Sequence, residues 1–340
     1  MNICILGPEI TKDSFGGIAT FNEGLKNAFN SLGHKVLIIS NSRGSKNFFR
    51  KSNFIHPSAS LKKVIKDFDP DLIITSMWYG LINNKIQKIC PKVKTIHFIH
   101  GFPNYRYGIV KKNILNVILK NIRKKTDLFI ANSKLTKLIN NEIYGIECDK
   151  VIELGLQESY KDFLKKPNNE IKFIFVGRIV EEKKVDKICE VFNHITENNN
   201  NKCSLTIVGE GPEKEYLKNK YSSSTIFFEG KASRENVMKK LQEADIFISL
   251  NPHEPFGLVF LEAVLNKCKI ICPDSGGQLE FLNELKENVM SIDLNDYKNS
   301  KYRFDEFLKI YPYEKTDLRL YFEKYNYKRV ADEILQSQYL

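Results

Sequence analysis

Apolar residues recur along the chain in short blocks separated by amphipathic stretches. In the first half the blocks are 2–6, 35–39, 72–75, 95–99, 128–131 and 151–154. Runs this short, rich in Ile, Val and Phe, predict strands, and their alternation with helical spacing predicts a parallel sheet covered by helices on both faces. Segment 164–172 is polar, holds Pro167 and two adjacent asparagines, and is predicted to be a linker. The alternation then restarts with strands expected at 173–176, 204–208, 225–229, 246–249, 269–272 and 289–292, helices over 184–198 and 234–243, and a turn at 198–201. From about residue 317 the pattern is helical, with Tyr and Leu on one face. The expected fold class is α/β: two doubly wound domains in tandem, 1–166 and 170–316, followed by a C-terminal helix at 317–340.

Composition supports this division and removes other classes. A chain of 340 residues exceeds what one core organises, and 42% apolar with 27% charged residues is ordinary for a globular protein. No apolar run approaches the roughly 18–20 residues that span a bilayer. The opening MNICILGPEI lacks the basic flank and the long apolar run of a signal peptide, so a soluble chain is expected. Seven cysteines, an odd number without a C-x-x-C pair, read as buried thiols in a reducing compartment and place the protein in the cytoplasm. Cys268 and Cys272 lie four apart, but no His or Cys completes a zinc set, and no metal is expected.

Charge is one-sided. Residues 1–165 carry 26 Lys+Arg against 13 Asp+Glu, whereas 166–340 carry 26 against 28. The basic half points to an anionic partner: a phosphorylated substrate, nucleic acid or an anionic membrane face. The densest run, 109–125, sets Ile114, Leu115, Ile118, Leu119 and Ile122 at helical spacing among Lys111, Lys112, Lys120, Arg123, Lys124 and Lys125. It reads equally as a surface helix packed by its apolar stripe and as a helix resting on anionic headgroups. The run contains no aromatic residue for base stacking and the chain no nucleic-acid-binding module, so nucleic acid is not expected as a partner.

Candidate chemistry sits at the ends of the expected strands. In HEPFGLVFLEA, Glu254 and Glu262 are separated by seven residues, the first before an expected helix at 258–265 and the second inside it. The free N–H groups at that helix start would face an anion, and a carboxylate is a good acceptor for vicinal sugar hydroxyls. A cap and a surface carboxylate would give the same pattern. In FIFVGRIVEEKKVD, Arg178 and Lys183 follow a buried strand, where open α/β sheets bind ligands, and two cations there suit a diphosphate. Lys184 and Lys187 are expected to be solvated. Gly16-Gly17 and Gly276-Gly277 each follow a strand and precede a helix, as ordinary turns or as backbone close to a phosphate or sugar. Gly209-Glu210-Gly211 begins like a dinucleotide fingerprint but lacks its third glycine, and there is no P-loop. His97 and His100 point to opposite faces of a strand, so they are not joint metal ligands; His100, beside Gly101 at the strand end, is the one placed at a ligand crevice.

The ordered series resembles the retaining glycosyltransferases of family 4, of the GT-B fold. It comprises Gly16-Gly17, Gly33-His34-Lys35-Val36, His100-Gly101, Ala131-Asn132-Ser133, Val176-Gly177-Arg178 with Lys183, Val208-Gly209-Glu210-Gly211-Pro212, Ala244-Asp245-Ile246, the Glu254/Glu262 pair with Pro-Phe-Gly-Leu inside it, and Gly276-Gly277. The resemblance implies two Rossmann-like domains facing a central cleft, the first on the acceptor side, the second binding a nucleoside-diphosphate sugar linked to UDP or GDP, and the last helix returning to the first domain. It implies catalytic roles for His100, Glu254, Arg178 and Lys183: the two cations on the diphosphate, Glu254 and His100 at the sugar. Gly16, Gly17, Gly209, Phe256, Gly257 and Leu258 would border the donor together with Glu254, and Glu262 would bind the ribose. Family members retain anomeric configuration, need no metal and have no cofactor beyond the donor. The chain departs from the family pattern at Lys184 and Lys267, where Gly is common, at Lys269, where Pro is common, at Leu250-Asn251, where Pro-Ser is usual, and at Leu154-Gly155, where Asn-Gly is usual.

The resulting expectation is a retaining, metal-independent hexosyltransferase acting on a lipid-linked or surface-polysaccharide acceptor, such as lipopolysaccharide, at the cytoplasmic membrane face. A non-hydrolysing nucleotide-sugar epimerase and a catalytically silent nucleotide-sugar-binding protein remain as alternatives.

Overall fold

The computed structural model describes residues 1–10, 16–40, 59–103, 108–157, 162–163, 165, 170–197, 202–309 and 317–337. The chain divides into two compact units, Met1–Glu158 with Glu323–Leu340, and Ser159–Phe322.

The first unit holds a sheet of β1 (Asn2–Leu6), β2 (Lys35–Ile39), β3 (Leu72–Ser76), β4 (Lys94–Ile99), β5 (Leu128–Ala131) and β6 (Lys150–Val151), in the order β2-β1-β3-β4-β5-β6. All its pairings are parallel. Strands such as β3 are buried at every position, as a sheet with both faces covered requires. β6 is shorter than the apolar run 151–154 predicts. After Val151 the chain leaves the sheet edge and runs beside the C-terminal segment, where Leu156 bridges Asn326 and the Glu153 carbonyl accepts from Arg329.

Helix Tyr327–Ser337 packs on helix Gly17–Ser31. Gly24 makes this approach possible, because a Cβ there would lie 2.2 Å from the Tyr327 ring. Phe21, one turn earlier, carries the contact inward to Phe98, ring centroids 4.7 Å apart.

The second unit repeats the plan with β7 (Glu170–Val176), β8 (Lys202–Val208), β9 (Ile226–Gly230), β10 (Ile246–Ile248), β11 (Lys269–Pro273) and β12 (Val289–Ile292), ordered β12-β11-β10-β7-β8-β9 and parallel throughout. Its core is dominated by Phe173, Phe175, Phe192, Ile207, Ile248 and Phe304. Every strand expected from the sequence is present. β7 begins earlier than expected, since Glu170–Lys172 pair in register with Lys202–Ser204. It therefore absorbs the end of the segment expected as a linker. The rest of that segment, apart from Lys165, and the turn at 198–201 lie outside the described residues. The architecture is the expected α/β fold with two doubly wound parallel sheets.

No helix among the described residues is long and apolar enough to cross a membrane. All seven cysteines are buried free thiols.

Candidate active site

The strand order of the second sheet reverses at β7: the chain proceeds outward through β8 and β9 on one side and through β10, β11 and β12 on the other. Loops leaving β7 and β10 diverge at such a switch point and leave a crevice at the C-terminal edge. Arg178 and Lys183 are on the first loop and Glu254 is on the second. Lys183 Nζ lies 2.5 Å from Glu254 Oε2, so the two residues meet across the reversal. Asn251 Nδ2 donates to the same oxygen at 3.1 Å, while Asn251 Oδ1 accepts the His253 N–H. The asparagine that departs from the family's Pro-Ser thus shapes the turn and orients the carboxylate. Arg178 is exposed at the end of β7, and its guanidinium has no hydrogen-bond or ion-pair partner among the described residues.

Glycines bring these loops together. Gly209, after β8, sits so close to β7 that a Cβ would fall 1.8 Å from the Gly177 carbonyl oxygen. Gly277, after β11, donates its N–H to the Glu254 carbonyl at 2.7 Å. Gly257 has φ +93° and opens helix Leu258–Leu265, whose free N–H groups therefore start at Leu258. Phe256 is buried, its ring packed against Phe281 with centroids 5.2 Å apart.

Glu262 lies inside that helix, LVFLEAVL, which is otherwise wholly apolar and largely buried. A buried carboxylate needs a compensating partner, and Arg234 Nη1 provides it at 2.9 Å from Glu262 Oε1. Sequence reasoning missed Arg234. A signal was present: Arg234 opens helix Arg234–Glu243, where a cation opposes the helix dipole and implies an anion nearby.

In the first unit His100 directly follows β4. Its Nε2 is 3.1 Å from Ser76 Oγ, and its ring meets Phe21 edge-on at 4.8 Å. Asn132 Nδ2 donates to the His100 carbonyl and Asn140 Nδ2 to that of Gly101. Ser133 caps the helix between these asparagines, accepting from the Thr136 N–H. Ala131-Asn132-Ser133 is therefore the device that holds the His100-Gly101 turn. Desolvation lowers the His100 imidazole to about 3, so the ring is neutral at pH 7 although the residue is half-buried. His97 is fully packed, stacked on Phe129 and bonded to Thr75 Oγ1 at 2.9 Å. Gly16 and Gly17 are exposed at the start of helix Gly17–Ser31, and a side chain on either would meet no protein atom within 4 Å. Among the described residues no group of three or more His, Cys, Asp or Glu is arranged to hold a metal ion.

Comparison with known proteins gives this arrangement its family. The model for glycosyl transferases group 1 matches residues 157–329 and that for glycosyltransferase family 4 matches residues 15–152. The chain belongs to the group 1/family 4 glycosyltransferases, with the GT-B fold. An uncharacterized glycosyltransferase of Methanocaldococcus jannaschii is 31% identical over 176 residues, 46% of this chain and 44% of the relative. The matched region spans about half the length of the first curated relatives, 44%, 57% and 54% of them. Among solved structures, the lipopolysaccharide outer core galactosyltransferase WaaB superposes with TM-score 0.72 at 16% identity, covering 99% of this chain and all of that one. HepE of Anabaena, in complex with UDP-glucose, superposes with TM-score 0.76 at 13% identity, covering 99% and 98%.

Proposed function

We propose that the protein is a retaining, metal-independent glycosyltransferase. It would move a sugar from a UDP- or GDP-linked donor to a lipid-linked or surface-polysaccharide acceptor at the cytoplasmic face of the membrane. The observation that carries this reading is the meeting of Lys183 and Glu254 at the switch point, beside the exposed Arg178. In sugar transfer from a nucleoside diphosphate, negative charge grows on the leaving phosphate, and fixed cations aimed at it lower the barrier. Arg178 and Lys183 supply that charge, which is why the reading needs no metal. Glu254 accepts hydroxyls of the transferred sugar, and Glu262, held by Arg234, accepts those of the ribose. The backbone at Gly209 and from Phe256 to Leu258 borders the donor. The first unit is the acceptor-side domain, and within it the neutral His100 and the open backbone at Gly16-Gly17 are its candidate ligand-facing groups. UDP-glucose binding by HepE supports the donor class, and the galactosyltransferase WaaB supports a surface-glycan acceptor.

A thermal-shift screen against nucleoside-diphosphate sugars, without added metal, tests the reading. A donor at 100 times its Kd adds about 2.7 kcal/mol. One donor should shift the midpoint in the wild type and fail to do so in Arg178→Ala. Absence of a shift with every donor would overturn the donor site. Epimerised donor in the absence of any acceptor would overturn the transferase in favour of an epimerase.

A further inference from the structure

The helix Ile109–Arg123 is packed by only part of its apolar surface. Ile122 is buried, and Ile118 and Leu119 pack against the core formed by Ile99, Phe129 and Ile146. Ile114, expected in the same stripe, is 54% exposed, and Ile109, Val110 and Val117 are 78%, 73% and 66% exposed. Val110, Ile114 and Val117 are spaced i, i+4, i+7 and therefore form one continuous edge turned away from the core. Single exposed aliphatics are ordinary on soluble proteins, whereas four on one helix are not.

The surroundings of this edge are basic. Residues 109–125 contain Lys111, Lys112, Lys120, Arg123, Lys124 and Lys125 and no Asp or Glu. Arg123 is committed to the fold, with Nε donating to the Glu147 carbonyl at 2.8 Å and Nη2 lying 2.6 Å from Asp149. Lys120 and Lys124 are exposed beside the apolar edge. The patch continues beyond the helix: a Cβ on Gly145 would lie 3.4 Å from Lys120 Nζ, and Ile143, two residues before it, is 68% exposed.

We infer that this edge docks on an anionic bilayer, with Val110, Ile114 and Val117 entering the headgroup–acyl boundary and the lysines lying against the phosphates. Apolar side chains flanked by lysines that keep their ammonium groups at the interface are the composition of a helix lying in a membrane surface. A two-fold contact with a second copy would set lysine against lysine with no carboxylate on the helix to offset them. The inference deepens the acceptor reading above, since a lipid-linked acceptor is met at that surface, but it is measured without donor or acceptor.

The full-length protein is co-sedimented with phosphatidylcholine vesicles, with and without phosphatidylglycerol, at low and high salt. Binding is expected only to the anionic vesicles at low salt. Ile114→Glu with Val117→Glu should weaken it about tenfold or more, and Lys120→Glu and Lys124→Glu about fivefold each. These side chains are exposed, so the variants should keep the wild-type melting midpoint and donor-induced shift. Absence of binding to anionic vesicles, equal binding to neutral ones, or undiminished binding by these variants would overturn the inference. A concentration-dependent dimer abolished by Ile114→Glu with Val117→Glu would assign the edge to a second copy instead. A donor shift without vesicle binding overturns docking alone, and vesicle binding without any donor shift overturns the donor reading alone.

Discussion

Lys183 Nζ lies 2.5 Å from Glu254 Oε2 and so ties the loop after β7 to the loop after β10 at the reversal of strand order. The pair is mostly shielded, with side-chain exposures of 22% and 14%. A diphosphate arriving beside Arg178 would give Lys183 a second anion to engage. Lys183→Ala is therefore expected to lower kcat by about 10²–10³-fold, the usual cost of removing one group that stabilises developing charge. Steady-state kinetics with a fixed donor check this, and near-normal turnover would remove Lys183 from the mechanism.

The Arg234–Glu262 pair yields a prediction of a different shape. Glu262 is nearly buried in an apolar helix, so Arg234→Ala should lower stability by about 1–3 kcal/mol. If Glu262 holds the ribose, loss of its positioning partner should raise the donor KM about tenfold with a smaller change in kcat. Arg234→Lys, which keeps the charge but loses the planar fork, should recover part of the binding. A purely structural role would move the melting midpoint and leave KM unchanged.

How far the sequence disclosed this molecule depended on whether a feature is local. Strand positions were legible because a parallel strand buried on both faces is a short apolar run wherever it occurs. β6 fell short because its end is set by a partner more than 170 residues away, the segment around Asn326. The meeting of Lys183 with Glu254 was foreshadowed in the sequence because both follow the ends of strands, where α/β sheets concentrate ligand chemistry. For Arg234 the sequence held only a hint, a cation at a helix start; which carboxylate it pairs with is set by a contact made in three dimensions. The exposed edge at Val110, Ile114 and Val117 escaped for a related reason: periodicity shows that a helix has an apolar stripe, and packing decides how much of it is covered.

Two departures from the family pattern fall at backbone positions that favour glycine. Lys184 has φ +49° and Lys267 φ +56°. A side chain in the left-handed region costs about 1–2 kcal/mol, partly offset by glycine's greater freedom in the unfolded chain. Lys184→Gly should therefore stabilise the protein by about 0.5–1 kcal/mol. Lys267 closes helix Leu258–Leu265, its N–H donating to Val264 and that of Cys268 to Ala263. Its side chain, however, reaches Asp162 at 2.7 Å and the Phe163 carbonyl at 2.6 Å. Lys267→Gly relieves the same strain but loses both contacts, so it should gain nothing or destabilise. Urea midpoints of the two variants should move apart, and equal shifts would count against this account.

Lys269 stands where the family pattern has proline, and it is buried at the start of β11. Its ammonium donates to the Phe307 carbonyl and lies 4.3 Å from the centre of the Phe307 ring. Desolvation lowers its pKa from 10.5 to about 8. Below pH 8 both folded and unfolded chains carry this proton, and the cost of burying the charge is fully present. Between pH 8 and 10.5 the unfolded chain retains a proton that the folded chain has lost, so this group makes stability rise with pH, by about 3 kcal/mol across the window. Lys269→Met removes the titration while keeping much of the side-chain volume. At pH 7 the variant should be as stable as the wild type or more so, and the difference should shift toward the wild type as pH approaches 10. Urea unfolding of both proteins at pH 7 and pH 9.5 measures it; parallel pH profiles would show that Lys269 titrates as a solvated lysine.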